Sequence, residues 1–327
     1  MRAIVQNEFG GPEVLEVVET APPAPVPTEV LVRVRAIGVN PIEASIRSGA
    51  IPLLGDPPFT LGWDISGVVE SAMPDTYRFK AGDEVFGMPF FPRAAHGYAE
   101  FVAAPARQLA RKPDSVDHAR AAALPLVGLT AWQGLVDLAD LRSGQRVLVH
   151  GGGGGVGHIA VQLAKHLGAE VIATASESKR EFVLGLGADT VLDYHAVDFT
   201  DAVADLDVVF DTVDGRTGGD YGERSLRVLR PGGILVTAVD RTNLALAAKA
   251  EQEGRRFAGV AVEPDHAALE RLAKLVDAGA LRVHVQDTFP LERVAEAHRL
   301  AEAGHVTGKI VLTIARDGRL GPTRPLA

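Results

Sequence analysis

The rhythm of hydrophobic and polar positions changes twice along this chain. Up to about residue 125 the apolar residues fall in short alternating runs, as in Val30-Leu-Val-Arg-Val-Arg-Ala36 and Gly67-Val-Val-Glu70. Side chains alternate faces along a strand, so these runs predict short strands; Gly10-Gly11, Gly55 and Gly82-Asp83 mark turns between them. Pro22, Pro23, Pro25 and Pro27 predict a stiff extended connector, because proline has no N–H to give to a helix. The region reads as a small barrel-like β domain.

From 126 to 262 strand-like and helix-like stretches alternate. Strands are predicted at Val147–His150, Val171–Thr174, Thr190–Leu192, Val208–Asp211 and Ile234–Ala238, with a last one near Phe257–Val262. Helical patterns fill most gaps, including His158–Leu167, Lys179–Gly187 and Gly222–Leu229. Such alternation implies right-handed parallel crossovers, hence a doubly wound α/β sheet with ligands outside the carboxyl ends of its strands. Gly151–Gly157, Ser176, Asp211–Val213 and Val239–Asp240 occupy those places. The remainder, 263–327, predicts helices at Asp265–Ala278 and Leu291–Glu302 and a strand at Lys309–Ile314. The predicted organisation is therefore 1–125, 126–262 and 263–327.

One junction carries most of the chemistry. The strand Arg146-Val-Leu-Val-His150 runs into Gly151-Gly-Gly-Gly-Gly-Val-Gly157 and then directly into an amphipathic helix. Gly152, Gly154 and Gly157 satisfy G-x-G-x-x-G: one glycine for the tight turn, one for close approach to a pyrophosphate, one for helix–strand packing. The new helix's unpaired N–H groups and dipole would receive the negative charge. Alone, the triplet would equally describe a flexible linker; the strand before it and the helix and strand after it favour a dinucleotide site. The dinucleotide is read at the end of the next strand, Ala175-Ser176-Glu177-Ser178-Lys179-Arg180. The strand tip is Ser176, where NAD-binding units usually place a carboxylate, and two cations follow. Hydroxyl and cationic donors suit a 2′-phosphate, so NADPH is expected over NADH, although Glu177 could itself approach the ribose.

Composition narrows the partners. Of 327 residues, 33 are Lys or Arg and 42 are Asp or Glu, a net charge of −9, which argues against nucleic acid or an anionic membrane as principal partner. No cysteine occurs, so disulfides, thiolate catalysis and Cys-ligated zinc are excluded. No signal peptide or membrane-spanning run is evident, and a cytoplasmic location is the expectation.

A further set of segments is spread over nearly the whole chain: Gly38-Val-Asn-Pro-Ile42 with Arg47-Ser-Gly49, Leu61-Gly-Trp-Asp-Ile-Ser-Gly-Val68, Gly82-Asp-Glu-Val85, Gly97-Tyr-Ala-Glu100, Ala123-Leu-Pro-Leu-Val-Gly-Leu-Thr-Ala131, Leu186-Gly-Ala-Asp189 with Asp193-Tyr194, and Gly308-Lys-Ile-Val311. With the glycine loop, they make the chain resemble the zinc-free quinone oxidoreductase (zeta-crystallin-like) branch of the medium-chain dehydrogenase/reductases. The resemblance implies a Rossmann domain inserted into a GroES-like β-barrel catalytic domain closed by the C-terminal region, with the cofactor in the cleft between them. It also implies a homodimer through the edge of the Rossmann sheet, where the apolar last strand invites pairing.

Zinc-dependent relatives hold their metal with an early Cys and a G-H-E-x-x-G segment. The matching segment here is Gly62-Trp63-Asp64-Ile-Ser-Gly67, so the ligand position is Trp63. The ten histidines show no ligand spacing, and no metal is expected. Without a metal Lewis acid, the acceptors that remain are those activated by their own conjugation, quinones and α,β-unsaturated carbonyls. The resemblance places Asn40 and Thr130 near the nicotinamide as catalytic candidates; a turn former before Pro41 and a helix N-terminal residue are their plain structural readings. It places Tyr194 against the adenosine 2′-phosphate, with a strand-end surface aromatic as the alternative. The expected cofactor-binding set is Gly152, Gly154, Gly155, Val156, Gly157, Ser176, Lys179, Arg180, Tyr194 and Val239. A Glu43–Arg47 pair is expected as a helix-surface contact, and Trp63, Phe59, Phe90, Phe91 and Trp132 as pocket lining or core. His96 and Tyr98 are weaker candidates for reaching a substrate oxygen, and water is an alternative proton source. The expected activity is reduction of quinones or other conjugated carbonyls with NADPH. A dedicated enoyl reductase and an NADPH-binding protein with little turnover are the alternatives.

Overall fold

The computed structural model describes residues 1–213 and 220–315. The chain divides into two compact units: Met1–Leu126 with Glu263–Asp277 and Val285–Ala327, and Val127–Val262 with Ala278–His284.

The first unit is built on a seven-stranded sheet whose main path runs Val285–Pro290, Lys309–Thr313, Glu29–Val39, Ile65–Ala72, Glu84–Gly87, Leu109–Arg111; Phe101–Pro105 pairs the long strand Glu29–Val39 off that path. All its pairs are antiparallel except Val285–Pro290 with Lys309–Thr313. A separate hairpin joins Arg2–Gln6 to Leu15–Glu19. The C-terminal strand enters the sheet in the register Ile310↔Val39 and Leu312↔Ile37. That register sets Lys309 beside the end of the long strand, where Asn40 turns the chain into the helix Pro41–Arg47.

The second unit is a six-stranded parallel sheet in the spatial order Thr190–Asp193, Glu170–Ala175, Arg146–Val149, Leu206–Asp211, Leu229–Thr237, Arg256–Gly259. Strand order reverses between Arg146–Val149 and Leu206–Asp211, which makes the carboxyl ends of these two strands the switch point where ligands bind. Leu148, Ile172, Val209 and Leu235 are buried together with Leu226, Leu229 and Leu246 in one cluster. Full burial of each contributes about 1.5–3 kcal/mol, enough to hold the strand ends rigid beneath a binding surface.

Two features of the fold do not follow from the chain's periodicity. Residues 278–284 group with the second unit. The tie is Gln162, whose Nε2 donates to Arg282 O at 2.9 Å and whose Oε1 accepts from Arg282 N at 2.8 Å. The helix at Pro125–Trp132 continues as a π-helical turn over Gln133–Leu138, a feature that apolar periodicity alone does not signal.

Candidate active site

In the second unit, the strand Arg146–Val149 ends at His150, and the glycine loop leads into the helix Gly155–His166. Gly154 is its N-cap and provides no side-chain cap, so the first-turn N–H groups of Gly155, Val156 and Gly157 point outward without a capping side chain. The glycines differ in what they tolerate. A β-carbon on Gly157 would stand 2.0 Å from Gly151 O, and one on Gly152 would stand 2.8 Å from the Ala173 β-carbon. A β-carbon on Gly154 would meet only Gly151 O, at 3.3 Å. Gly157 and Gly152 are therefore forced by packing within the unit, whereas Gly154 keeps its outer side clear for an approaching group. An uncapped helix start above a bare backbone loop fits a pyrophosphate.

The floor of this loop is pinned from the two neighbouring strands. Gly152 N–H donates to Thr174 O at 2.9 Å, Gly151 N–H to Thr174 Oγ1 at 3.1 Å, and Thr212 Oγ1 to His150 O at 2.7 Å. The His150 ring is fully buried edge-on against Phe199 and Tyr221, with centroids 4.6 and 5.2 Å away, and burial pushes its pKa down to about 3. At the helix side, His284 N–H donates to His158 Nε2 at 3.3 Å. Nδ1 of His158 therefore carries the ring proton and donates to the carbonyls of Gly154 and Gly155, at 3.0 and 2.6 Å.

Ser176 N-caps the 3-10 turn Glu177–Lys179, and its hydroxyl lies 3.0 Å from Ser178 Oγ. Lys179 is half-buried, and desolvation lowers its pKa. Arg180 is committed elsewhere: Nε donates to Glu177 Oε2 at 2.7 Å and Nη1 to Val191 O at 2.8 Å. Arg180 thus meets the expected 2′-phosphate site only through these partners. Tyr194 (48% exposed) follows the third strand with its ring 4.3 Å from that of His195, and Val239 (41% exposed) follows the fifth. Two cavities open at these strand ends. One of about 190 Å³ is lined by Asp211, Val213, Thr237, Val239 and Asp240; one of about 220 Å³ by Thr174, Tyr194, Phe199 and Arg224. Asp211 in the first is buried, which raises its pKa to about 6. Thr130 sits in the helix Pro125–Trp132, buried at 4% exposure, in its second turn and not at its N-terminus.

Asn40 belongs to the first unit, within a buried polar network that sequence reading largely missed. Asn40 N–H donates to Glu43 Oε2 at 2.8 Å, the return limb of a capping box. Tyr98 donates its phenolic proton to the same oxygen at 2.7 Å. Arg47 has only donors, so its Nη1, 3.0 Å from His298 Nδ1, makes that nitrogen the acceptor; His298 Nε2–H then donates to Tyr98 Oη at 2.9 Å. Arg47 Nη2 reaches Glu302 at 2.7 Å. The chain Arg47–His298–Tyr98–Glu43 thus has one fixed polarity. Burial, with Arg47 beside it, pushes His298 down to about 3. Burial pushes Glu43 up to about 7 against the opposing hydrogen bonds of Tyr98 and Asn40 and the charge of Lys309; the Asp64 charge adds a small push in the same upward direction. Glu43 Oε1 has no hydrogen-bond partner among the described residues. The Glu43–Arg47 surface contact is therefore wrong: both side chains are buried and each serves other partners. Tyr98 is likewise fully buried and committed to Glu43 and His298.

Trp63 is fully buried, its Nε1 donating to Arg93 O at 2.7 Å and its ring meeting Phe91 edge-on at 5.2 Å. Asp64 accepts from Leu126 N at 2.8 Å and from Asn40 Nδ2 at 3.0 Å. Among the described residues no group of three or more His, Asp or Glu is placed to hold a metal ion. With Trp63 at the ligand position, both Asp64 oxygens engaged and no cysteine in the chain, these residues do not fit a catalytic zinc.

Comparison with known proteins agrees with this layout. Residues 26–114 match the family described as alcohol dehydrogenase GroES-like domain, and residues 186–312 the family described as zinc-binding dehydrogenase. The chain is 33% identical to the Danio rerio protein named NAD(P)H oxidoreductase RTN4IP1, mitochondrial, over 97% of this chain and 92% of that protein. It is 33% identical to the Arabidopsis thaliana NADPH-dependent alkenal/one oxidoreductase, chloroplastic, over 95% and 79%. Among solved structures, the Coxiella burnetii quinone oxidoreductase superposes with a TM-score of 0.89 at 35% identity, covering 96% of this chain and 99% of that one. The Escherichia coli quinone oxidoreductase complexed with NADPH gives a TM-score of 0.85 at 29% identity, covering 96% and 100%. The fold, the residues at the former metal position and these relatives lead to one conclusion: the chain belongs to the zinc-free, quinone-oxidoreductase-type branch of the medium-chain dehydrogenase/reductase superfamily, and it is an oxidoreductase of that type.

Proposed function

We propose that this protein is an NADPH-dependent reductase of quinones or other conjugated carbonyl compounds. The observation that carries this reading is the pair of features at the second unit's strand ends: an uncapped glycine-rich helix start, and Ser176 with Lys179 where an NAD-specific unit would hold a carboxylate. The NADPH named for the Arabidopsis and Escherichia coli relatives supports it. Gly152, Gly154, Gly155, Val156 and Gly157 would hold the pyrophosphate, Ser176, Lys179 and Tyr194 the 2′-phosphate region, and Val239 the nicotinamide end. Arg180, paired to Glu177, would contribute only if that pair opened.

When bound, the reduced nicotinamide supplies the hydride. The chain's own residues would bind and orient it, Asn40 would offer a hydrogen-bond donor to the oxygen on which charge develops, and Thr130 is the second catalytic candidate. An acceptor conjugated enough to carry that charge needs no metal to polarise it, which matches the donor set at Trp63 and Asp64. Reduction of an enone with NADPH deuterated at both C4 positions tests the assignment. Deuterium at the β-carbon of the product is expected, and its absence from the product would overturn hydride transfer.

Among the described residues, the strand Arg256–Gly259 pairs only with Leu229–Thr237 and leaves its other edge unpaired. We place a homodimer contact along that edge. Light scattering over a dilution series that finds only monomer would refute it.

A further inference from the structure

Asn40 closes the strand Glu29–Val39 with extended backbone (φ −127°, ψ 147°) and is 1% exposed. Its carboxamide is gripped from both ends. Lys309 Nζ donates to Oδ1, and it also donates to Val39 O at 2.6 Å. Nδ2 donates to Asp64 Oδ2 at 3.0 Å, while Asp64 Oδ1 is held by Leu126 N–H at 2.8 Å. An ammonium can only donate and an ionised carboxylate can only accept, so the amide has one orientation; a flip would set N–H against ammonium and carbonyl against carboxylate. Glu43 fixes the backbone end of the same residue through the Asn40 N–H. Of the two Nδ2 protons, one goes to Asp64 and the second meets no acceptor among the described residues.

Such a grip is an unusual use of charge. Lys309 and Asp64 are both fully buried, and burying charges is costly unless they gain specific partners. Burial lowers the Lys309 pKa against the pull of Asp64 and Glu43, and raises that of Asp64 to about 6 against the pull of Lys309 and Asn40. The partner these two charges share is a neutral amide.

We propose that Lys309 and Asp64 are positioning residues that orient and polarise the Asn40 carboxamide, so that its second N–H is the donor for the oxygen developing negative charge on the hydride acceptor. The assignment rests on the reading that the chain is a reductase acting at Asn40. Electron withdrawal at Oδ1 strengthens donation at Nδ2, and a donor fixed in advance needs no reorganisation when charge appears. For an enone, hydride adds to the β-carbon and the double-bond electrons move through the α-carbon onto the carbonyl oxygen. The resulting enolate accepts the Asn40 N–H bond, and a proton from water at the α-carbon completes the reduction. Asn40, Lys309 and Asp64 end with the protons they began with.

The test compares Lys309→Met, Asp64→Asn, Asn40→Ala and the double variant Asn40→Ala/Lys309→Met with wild type. Readouts are kcat, the NADPH dissociation constant by fluorescence titration, and the primary isotope effect from 4-deuterated NADPH. Asn40→Ala is expected to slow kcat about a hundredfold, and Lys309→Met about ten- to hundredfold with an enlarged isotope effect. NADPH affinity should stay within about threefold, and the double variant should be no slower than Asn40→Ala, as expected for residues acting as one unit. An unchanged kcat in Lys309→Met beside a slow Asn40→Ala would overturn the proposal alone, as would additive losses or a parallel loss of NADPH affinity. A fast Asn40→Ala would instead sink the underlying reading of Asn40. If Lys309→Met does not fold, Asp64→Asn decides: it keeps the shape but lets the amide flip, and an unchanged kcat and isotope effect there would also overturn the proposal.

Discussion

Gly157 faces the carbonyl of Gly151 so closely that a β-carbon on it would stand 2.0 Å from the oxygen. The contact seats the first turn of the helix Gly155–His166 on the loop that precedes it, and it fixes where the helix N–H groups aim. Gly157→Ala must push these two segments apart. Destabilisation on the order of 1–3 kcal/mol is expected from overpacking, with NADPH affinity down about tenfold or more. Thermal melting with and without NADPH reads both, and an alanine variant with wild-type affinity would show that the loop is not the phosphate cradle.

Cofactor choice turns on Ser176. Placing a carboxylate there by Ser176→Asp sets a charge against a 2′-phosphate and gives a 2′-hydroxyl its partner. The ratio of NADPH to NADH affinity is expected to fall about ten- to hundredfold. Lys179→Ala should move the ratio in the same direction, and Arg180→Ala much less, because Arg180 is already held by Glu177 and Val191 O. Titration of each variant with both cofactors measures this; equal losses for the two cofactors in Ser176→Asp would contradict it.

Glu43 ties stability to pH. Its pKa is raised from 4.5 to about 7 in the folded protein, so the folded state holds a proton that the unfolded chain has released over that interval. Stability contributed by this group is present below about pH 4.5 and is lost as pH rises through about 7. Glu43→Gln mimics the protonated form at every pH. The variant's stability relative to wild type should therefore climb between about pH 4.5 and 7, with a slope of up to about 1.4 kcal/mol per pH unit, and level off above. Parallel denaturant titrations across that range measure the difference, and a flat difference would mean that Glu43 does not titrate there. His298 and His150, pushed down to about 3, work in the opposite direction below pH 6.5, and the comparison with the variant cancels them.

Much of the second unit could be read directly from the chain, because parallel strands buried on both faces appear as continuous apolar runs and the glycine loop has its own steric signature. The first unit's network was harder to see, since its members come from distant segments brought together by strand register. Lys309 stood in a noted motif, Gly308-Lys-Ile-Val311, but only the Ile310↔Val39 pairing shows that it reaches Asn40. A signal was present at Asn40-Pro-Ile-Glu43, whose N-cap residue with Glu three positions on is half of a capping box. It points to Glu43 bonding back to the Asn40 N–H, where helix periodicity suggests a surface pair with Arg47. Arg180 shows the converse limit: its charge fits a phosphate, and its neighbour Glu177 takes it first.

The central claim is tested most directly by initial rates of NADPH oxidation with 1,4-benzoquinone, 9,10-phenanthrenequinone and a simple enone, each repeated with NADH and with a metal chelator. Chelator-resistant oxidation of NADPH well above that of NADH is the predicted result. No oxidation with any of the three acceptors, or activity abolished by the chelator, would contradict it.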